Sequence, residues 1–301
     1  MGLTAVAAVG LAFALDATVE EFPGRIHPVA LFGRLVAPFD RSWSRPRTAG
    51  LVAALCLPLG FAGVAYALVA LASGSVVLTA IVAGLALFAT TSRRMLVSAA
   101  REVVAASETD LDAARDSLLA LAGRDASALS AGELRSAAVE SAAENLADGL
   151  VAPILAFALG AQLSLALGVA AAAWVKGVNT LDSMLGYRSK PVGWASARLD
   201  DAVMWLPARL SAVLVALARP APRALTTARR WARTPPSPNS GWPMATLAVA
   251  IDVELTKPGV YTLNPDADLP TPERARLGVR TVAVAGLLAF ALAAVAVGVR
   301  P

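Results

Sequence analysis

The segment that decides the fold is ESAAENLADGLVAPILAFALG, residues 140–160, in which a polar stretch leads into an apolar one. Glu140, Glu144 and Asp148 are spaced by four residues, and the next charged residue is Lys176. Because positions four apart share one face of a helix, the spacing predicts a row of three carboxylates. The 27 uncharged residues that follow the row are enough to enter a membrane.

Other uncharged runs extend this pattern over the whole chain. There are 45 uncharged residues between Arg47 and Arg93 and 19 between Arg280 and Arg300. The 301 residues are 57% hydrophobic and 16% charged, whereas a soluble domain has about a quarter charged residues. The sequence therefore predicts an all-α, polytopic integral membrane helical bundle with polar helices and loops facing the cytoplasm.

The predicted organisation is a single membrane-embedded catalytic domain, residues 1–301. Membrane helices are predicted near residues 3–15, 49–72, 76–92, 150–175 and 280–299, and cytoplasmic polar segments at 16–48, 93–148, 176–205 and 219–278. Gly160 and Gln162 interrupt the fourth run, which favours a hairpin of two short helices. Within the second polar segment, Ser107 or Thr109 is predicted to cap the start of an amphipathic helix.

The positive charge is concentrated in arginine-rich stretches outside the apolar runs. The net charge is +4 and the isoelectric point is about 9.7. In a membrane protein such stretches mark the cytoplasmic side, and this interpretation is preferred to a nucleic-acid surface.

The carboxylate row has two interpretations. Like charges four residues apart on a helix repel each other, so the row favours a bound cation, and Mg²⁺ uses carboxylates together with phosphate oxygens. Alternatively, the row is a solvated helix face whose acids pair with arginines, since structural ion pairs also gather carboxylates.

A second polar cluster is KGVNTLDSMLGYRSKPVGWASARLDDAVMWLPARL, residues 176–210. Its lysines and arginines, Arg188 among them, are suited to phosphate, and its aspartates are suited to the metal that accompanies phosphate. An ordinary mixed-charge cytoplasmic loop explains the composition equally well.

Two isolated polar residues add weaker signals. His27, the single histidine, precedes a proline and could carry a proton or bind a ligand, although a lone histidine is more often structural. Asn239 is predicted to lie in a turn before a helix, where anions can bind.

Four stretches in this order, HPVALFGRL (27–35), ESAAENLADGLVAPI (140–154), the 176–210 cluster, and PNSGWPMA (238–245) followed by KPGVYTL (257–263), carry a resemblance. Together they resemble the adenosylcobinamide-phosphate synthases, membrane enzymes of cobalamin (vitamin B12) biosynthesis. One departure is Ala147, which stands where the family often has a small polar residue.

The resemblance implies a carbon–nitrogen ligase located in the bacterial cell membrane with its active site facing the cytoplasm. The implied reaction joins adenosylcobyric acid, a corrinoid, to (R)-1-amino-2-propanol phosphate or a related amino-alcohol phosphate. ATP and Mg²⁺ are implied cofactors, and an acyl phosphate is the implied intermediate. Membrane lipids are implied partners and nucleic acid is not, and a homo-oligomer or association with other cobalamin-biosynthesis membrane enzymes remains open.

The resemblance also implies roles for individual residues. The implied catalytic residues are Glu140, Glu144, Asp148, Asp182 and His27. The implied metal ligands are Glu140, Glu144, Asp182, Asp200 and Asp201. The implied substrate and phosphate ligands are Asn145, Lys176, Asn179, Ser183, Tyr187, Arg198, Arg209 and Asn239.

Two other functions fit part of the pattern. Membrane prenyltransferases hold Mg²⁺-diphosphate with paired Asp-rich motifs, which NTLDSM and RLDDAVMW loosely match. A corrinoid transporter or a non-catalytic scaffold is the second alternative.

Overall fold

The structure is a computed structural model that describes residues 2–19, 21–123, 125–187 and 189–299. The secondary structure of this part of the chain is mainly α-helical and includes a short antiparallel hairpin, in which Thr256 pairs with Thr262. The helices are α1 Gly2–Thr18, α2 Pro28–Val36, α3 Pro46–Leu71, α4 Val76–Thr90, α5 Arg93–Ala106, α6 Leu111–Ala122, α7 Ala131–Leu146, α8 Ala152–Gly160, α9 Leu165–Leu185, α10 Trp194–Val203, α11 Trp205–Ala218, α12 Pro222–Ala228, α13 Gly241–Ala250 and α14 Pro272–Gly298. The strands are β1 Leu255–Lys257 and β2 Tyr261–Leu263.

Four helical stretches of the described chain are long and apolar enough to cross a membrane: Pro46–Gly74, Val76–Ala106, Ala131–Gly160 and Pro272–Gly298. The pair Pro191–Val203 and Trp205–Ala218 makes a fifth if it forms one broken span. Along α3, Leu51, Leu55 and Leu59 are about half exposed, as expected for side chains that face lipid. The predicted fold class, an all-α membrane protein, is confirmed.

The apolar run after the carboxylate row contains a helical hairpin. Helix α8 ends at Gly160, and Ser164 caps the start of α9 by accepting a hydrogen bond from the Leu167 N–H at 3.1 Å. The two helices pack closely, because a Cβ at Gly160 would lie 2.7 Å from the Leu167 carbonyl oxygen. Helix α9 is not among the stretches that qualify as spans.

The chain divides into two compact units. The first unit comprises residues 1–92, 148–204 and 290–301, and the second comprises residues 93–147 and 205–289. A single catalytic domain covering residues 1–301 therefore stays a prediction.

The core of the first unit fixes α2 against α9. Phe32 and Val36 of α2 are buried with Leu181 and Leu185 of α9. Each fully buried side chain of this size contributes roughly 1.5–3 kcal/mol. This packing holds the start of α2, with His27, and the last turns of α9, with Asp182.

The second unit is organised around α7. Ser130 and Glu133 form a capping box at its start, in which each side chain satisfies the other residue's backbone N–H. In the middle of the helix, the buried Ser136 hydroxyl accepts a hydrogen bond from the Thr256 N–H of β1 at 2.8 Å. The hairpin is therefore attached to α7 by side-chain bonding as well as by packing.

The predicted cap of the amphipathic helix was wrong by one to three residues. Helix α5 continues to Ala106, and the Ser107 hydroxyl donates back to the Val104 carbonyl at 2.7 Å instead of starting a helix. Asp110 caps α6, because its backbone is extended and its Oδ1 accepts the N–H groups of Asp112 and Ala113.

Candidate functional site

The first unit gathers ionisable side chains from three separate segments around Lys176. The ammonium group of this α9 residue interacts electrostatically with Asp148 and with Glu21, which lies between α1 and α2. Burial lowers the pKa of Lys176, and the two carboxylates oppose that shift. Lys176 and Asp148, both predicted site residues, therefore belong to one electrostatic cluster with Glu21.

His27 belongs to the same cluster and caps α2. Its Nδ1 accepts a hydrogen bond from the Val29 N–H at 3.1 Å, and its Nε2 lies 3.7 Å from Glu21 Oε1. Burial, and then the positive charge of Lys176, lower the pKa of His27. The neutral ring therefore carries its proton on Nε2, toward Glu21, and a second proton on Nδ1 would break the cap.

Glu21 is the member of this cluster that the sequence analysis missed. It stands in VEEFPGRIHP, six residues before His27, immediately after an apolar helix. A carboxylate at the end of an apolar helix and close to the only histidine was the available signal.

The spacing had predicted that the three carboxylates share one continuous α-helical face, and this prediction is wrong. Helix α7 ends at Leu146, and residues Ala147–Val151 form a π-helical turn that contains Asp148. Pro153 has no N–H to offer the Gly149 carbonyl four residues earlier, and that carbonyl accepts the Ser92 N–H at 3.0 Å. The π turn therefore changes the helical phase at Asp148, and such turns are frequent at functional sites.

The end of α9 holds a second acidic cluster with α10. Burial, and then the charge of Asp201, raise the pKa of Asp182 to about 6. Asp182 Oδ1 is buried and has no hydrogen-bond partner within the described residues; Arg188 lies outside them. Asp200 is the neighbour of Asp201 on α10, and both are half-buried.

These aspartates fit a hard cation. Carboxylate oxygens are the ligands that Mg²⁺ prefers, and the buried Asp182 oxygen has capacity for a further partner. The described residues contain no group of three or more His, Cys, Asp or Glu side chains that could hold a metal. A metal at Asp182 and Asp201 would complete its coordination with water or phosphate oxygens, as Mg²⁺ usually does.

The remaining predicted residues of the first unit lie on or after α9 and α10. The Ser183 hydroxyl donates to the Asn179 carbonyl at 2.8 Å. Tyr187 is exposed, and the Lys190 ammonium lies 5.0 Å from its ring centroid. Arg198 lies on α10, where it is exposed.

The second unit contains the other predicted acids. Glu140 is buried on α7 with an exposed fraction of 3%, and Glu144 is half-buried one turn later. The Asn145 side-chain amide donates to the Ser141 carbonyl at 3.0 Å. Glu140 is therefore not solvated, whereas Glu144 is partly accessible, and the choice between a bound cation and ion pairs with arginines stays a prediction.

Arg209 and Asn239, separated by 30 residues, meet in the second unit. Arg209 Nη1 donates to Asn239 Oδ1 at 2.6 Å and to the Trp205 carbonyl at 2.8 Å. The Arg209 guanidinium carbon lies 4.6 Å from the ring centroid of Trp205 and 5.1 Å from that of Trp242. Both predicted phosphate ligands are therefore held in one cation–aromatic cluster.

These features define a class: a helical membrane protein that holds buried ionisable groups beside its apolar helices, as functional sites in membranes do. The family model described as CobD/Cbib protein matches residues 9–291. The chain belongs to the CobD/CbiB family.

Curated relatives agree with the family match. A probable cobalamin biosynthesis protein CobD of Methanothrix thermoacetophila is 36% identical over 299 residues, which cover 94% of each chain. The cobalamin biosynthesis protein CobD of Mycobacterium tuberculosis is 40% identical over 79% of this chain and 77% of its own. That of Rhodobacter capsulatus is 34% identical over 85% of this chain and 82% of its own. No solved structure gives a significant match.

Proposed function

We propose that the protein acts in cobalamin biosynthesis as an ATP-dependent ligase that joins adenosylcobyric acid to an amino-alcohol phosphate through an amide bond. Support comes from the family match and from the names of its relatives. The observation that carries the proposal is the cluster of Lys176, His27 and Asp148, three residues from distant segments that the resemblance had already selected.

The reaction requires activation of a poor acyl donor. A carboxylate oxygen of the corrinoid attacks the γ-phosphorus of ATP, which gives an acyl phosphate and ADP. The amine then attacks the acyl carbon, phosphate leaves, and the amine nitrogen releases a proton. The site must therefore stabilise phosphate charge and accept that proton.

The cluster around Lys176 suits the amine. Glu21 and Asp148 are carboxylates that can accept hydrogen bonds from a substrate ammonium and take up its proton. His27 holds the start of α2 and presents its Nε2 side to Glu21, so we assign it a positioning role before a proton-carrying one. Lys176 supplies positive charge for a phosphate oxygen.

The acidic cluster at the end of α9 suits the metal of Mg-ATP. Asp182 and Asp201 would hold Mg²⁺, with Asp200 beside them, and the ion would neutralise charge on the nucleotide phosphates. In the second unit, Glu140 and Glu144 are proposed as further acids, with Asn145 as a substrate ligand. Arg209 and Asn239 of the second unit are proposed as phosphate ligands. In the first unit, the proposed substrate and phosphate ligands are Arg198, Asn179, Ser183 and Tyr187.

The proposed location is the cytoplasmic membrane, with the site facing the cytoplasm, where ATP is made. The arginine-rich stretches outside the apolar runs support this orientation. The corrinoid, the amine phosphate and membrane lipids are the proposed partners.

The direct test is mass detection of the amide after incubating the detergent-extracted protein with the corrinoid acid, the amine phosphate and Mg-ATP. We expect Glu144→Ala and Asp182→Ala each to reduce amide formation about 100-fold or more. Asp112→Ala is the matched control, because Asp112 is an exposed acid of α6. Undiminished product from both site variants would exclude these residues from the mechanism.

A binding comparison separates the alternatives. The ligase and the transporter both predict that a corrinoid raises the melting temperature of the purified protein, whereas a prenyltransferase predicts this effect for an isoprenoid diphosphate. Corrinoid binding without ATP-dependent product would favour the transporter or scaffold.

A further inference from the structure

The second unit contains a strongly basic stretch that the proposed chemistry uses only in part. Residues 205–251 contain no aspartate or glutamate. They contain six arginines: Arg209, Arg219, Arg223, Arg229, Arg230 and Arg233. Arg219 is engaged structurally, because its Nε donates to the Ala250 carbonyl at 2.9 Å.

Arg209 is held rigidly but keeps unused hydrogen-bond donors. Its Nη1 donates hydrogen bonds to the Trp205 carbonyl and to Asn239 Oδ1, and the contact of Nη2 with the Pro238 carbonyl is long, at 3.5 Å. Its Nε–H has no partner within the described residues. A guanidinium fixed between two indole rings with one edge unused is pre-organised for an anion.

The chain next to Arg233 makes a close backbone contact with the start of α13. A Cβ at Gly241, the first residue of α13, would lie 2.3 Å from the Ala232 carbonyl oxygen, so only glycine fits there. This contact places the backbone at Ala232 and the adjoining Arg233 beside the start of α13, and the Arg233 side chain is exposed. Burial, and then the positive charge of Arg233, lower the pKa of Arg209.

Two further groups of the cluster favour negative charge. The Trp242 Nε1–H belongs to the ring that stacks on Arg209, is buried, and has no acceptor within the described residues. Ser240 precedes α13 without capping it through its side chain, so the helix presents the partial positive charge of its N-terminus. Two arginines, a buried N–H donor and a helix N-terminus therefore all favour an anionic ligand.

We propose that Arg209, Arg233 and Trp242 form a binding site for a phosphate group at the start of α13. Only the identity of the ligand rests on the proposed function, under which the bound phosphate group would be that of the amino-alcohol substrate. A phosphate monoester carries up to two negative charges, matches the guanidinium fork and accepts the indole N–H. Arg233 and Trp242 are thereby added to the ligands that the sequence had predicted.

The test measures the melting temperature of the full chain in a neutral detergent against the concentration of inorganic phosphate, with ionic strength held constant by sodium chloride. A ligand that binds the folded state raises this temperature according to its affinity. We expect Arg233→Gln to weaken phosphate binding about tenfold and Trp242→Phe, which keeps the ring but removes the N–H, several-fold.

Arg230→Gln is the matched control, because Arg230 is an exposed arginine of the same stretch. It should bind phosphate as the wild type does. Identical titrations for Arg233→Gln, Arg230→Gln and the wild type would overturn the proposal, as would a chloride titration that reproduces the phosphate effect.

Two further melting-temperature measurements identify which compound supplies the phosphate group. O-phosphoethanolamine should stabilise the wild type more than phosphate does if the amine substrate occupies the site. Loss of the phosphate effect in phosphatidylglycerol nanodiscs, but not in phosphatidylcholine nanodiscs, would instead identify a lipid headgroup as the occupant. Either result retains the site.

The same variants separate this proposal from the proposed function. A wild type that binds phosphate through Arg233 but forms no amide would retain the site and reject the ligase. A wild type that forms the amide, with unchanged phosphate binding and unchanged KM for the amine phosphate in Arg233→Gln, would retain the ligase and reject the site.

Discussion

Particular charged side chains of the two units contribute to stability in opposite ways. In the first unit, burial disfavours the charged forms of Lys176 and Asp182. In the second unit, Arg135, Arg219 and Arg274 donate to the backbone carbonyls of Pro270, Ala250 and Ile251. These three arginines of the second unit therefore help to stabilise the fold, whereas the burial of Lys176 and Asp182 in the first unit costs stability. Groups that are retained at such a cost are candidates for catalysis.

The largest expected effect is that of Lys176→Met on activity. If the ammonium serves the reaction, amide formation should fall about 100-fold or more, because its charge on a phosphate oxygen is lost. The melting temperature should stay the same or rise. The folded protein disfavours protonated Lys176, and this penalty is present at pH 7 and disappears only as the pH rises toward 10.5.

The two measurements on Lys176→Met must be made on the same preparation in one detergent. A fall in melting temperature together with activity would mean that Lys176 contributes to folding, and the contrast between the units would fail at its central residue. Lys176→Arg is a useful companion, because it keeps the charge but changes its geometry.

Arg135→Met in the second unit should have the opposite effect on stability. Arg135 Nε donates to the Pro270 carbonyl at 2.6 Å and Nη1 to the Ser107 hydroxyl at 3.3 Å. Loss of these bonds should lower the free energy of unfolding by roughly 2–3 kcal/mol, because the Pro270 carbonyl loses a charged donor. Denaturant or thermal unfolding in detergent measures the change.

Arg223→Met is the control for this comparison, since Arg223 is an exposed arginine of α12. It should change the free energy of unfolding by less than about 0.5 kcal/mol. Equal losses in both variants would show that the carbonyl contacts of Arg135 are not what stabilises the second unit.

Asp182→Asn should produce a smaller, pH-dependent gain in stability. The folded state holds the Asp182 proton up to a pKa of about 6, whereas the unfolded chain loses it near 3.8. Wild-type stability therefore falls as the pH rises through this window, and the variant lacks that fall. We expect no difference below about pH 4 and a gain of roughly 1–2 kcal/mol above pH 6, allowing for partial solvent screening.

The Asp182→Asn comparison needs melting curves at several pH values from 4 to 8. Asp116→Asn is the matched control, because Asp116 is an exposed acid of α6. A gain that is independent of pH would mean that the substitution acts through packing and not through ionisation.

The membrane class of the fold could be predicted from sequence, because uncharged runs of this length are rare in water-soluble domains. The helical phase around Asp148 could not be predicted, because it depends on a π turn. The Gly149 carbonyl that Pro153 leaves without a helical donor finds the Ser92 N–H, from a segment 57 residues earlier. A prediction from residue spacing assumes an uninterrupted α-helix, and it contains no information about a hydrogen bond from a distant segment.

The candidate site was predictable in its residue types and only partly in its groupings. Local motifs selected Lys176, Asp148 and His27, and the structure gathers them with Glu21, which no motif had included. The sequence also selected Arg209 and Asn239 but not Trp242 or Arg233. Those two enter through the close contact of Gly241 with Ala232, and tertiary contacts of this kind leave no periodic signal.

The smallest expected effect concerns the pair formed by Lys190 and Asp40, whose charged atoms lie 2.7 Å apart in the first unit. Both side chains are about one third to one half exposed, so solvent screens the pair. Lys190→Met should lower the free energy of unfolding by about 0.5 kcal/mol, and a double-mutant cycle with Asp40→Asn should give a coupling energy below about 1 kcal/mol. A coupling of several kcal/mol would mean that the first unit also uses charge to stabilise its fold. The contrast between the units would then be limited to the residues around Lys176 and Asp182.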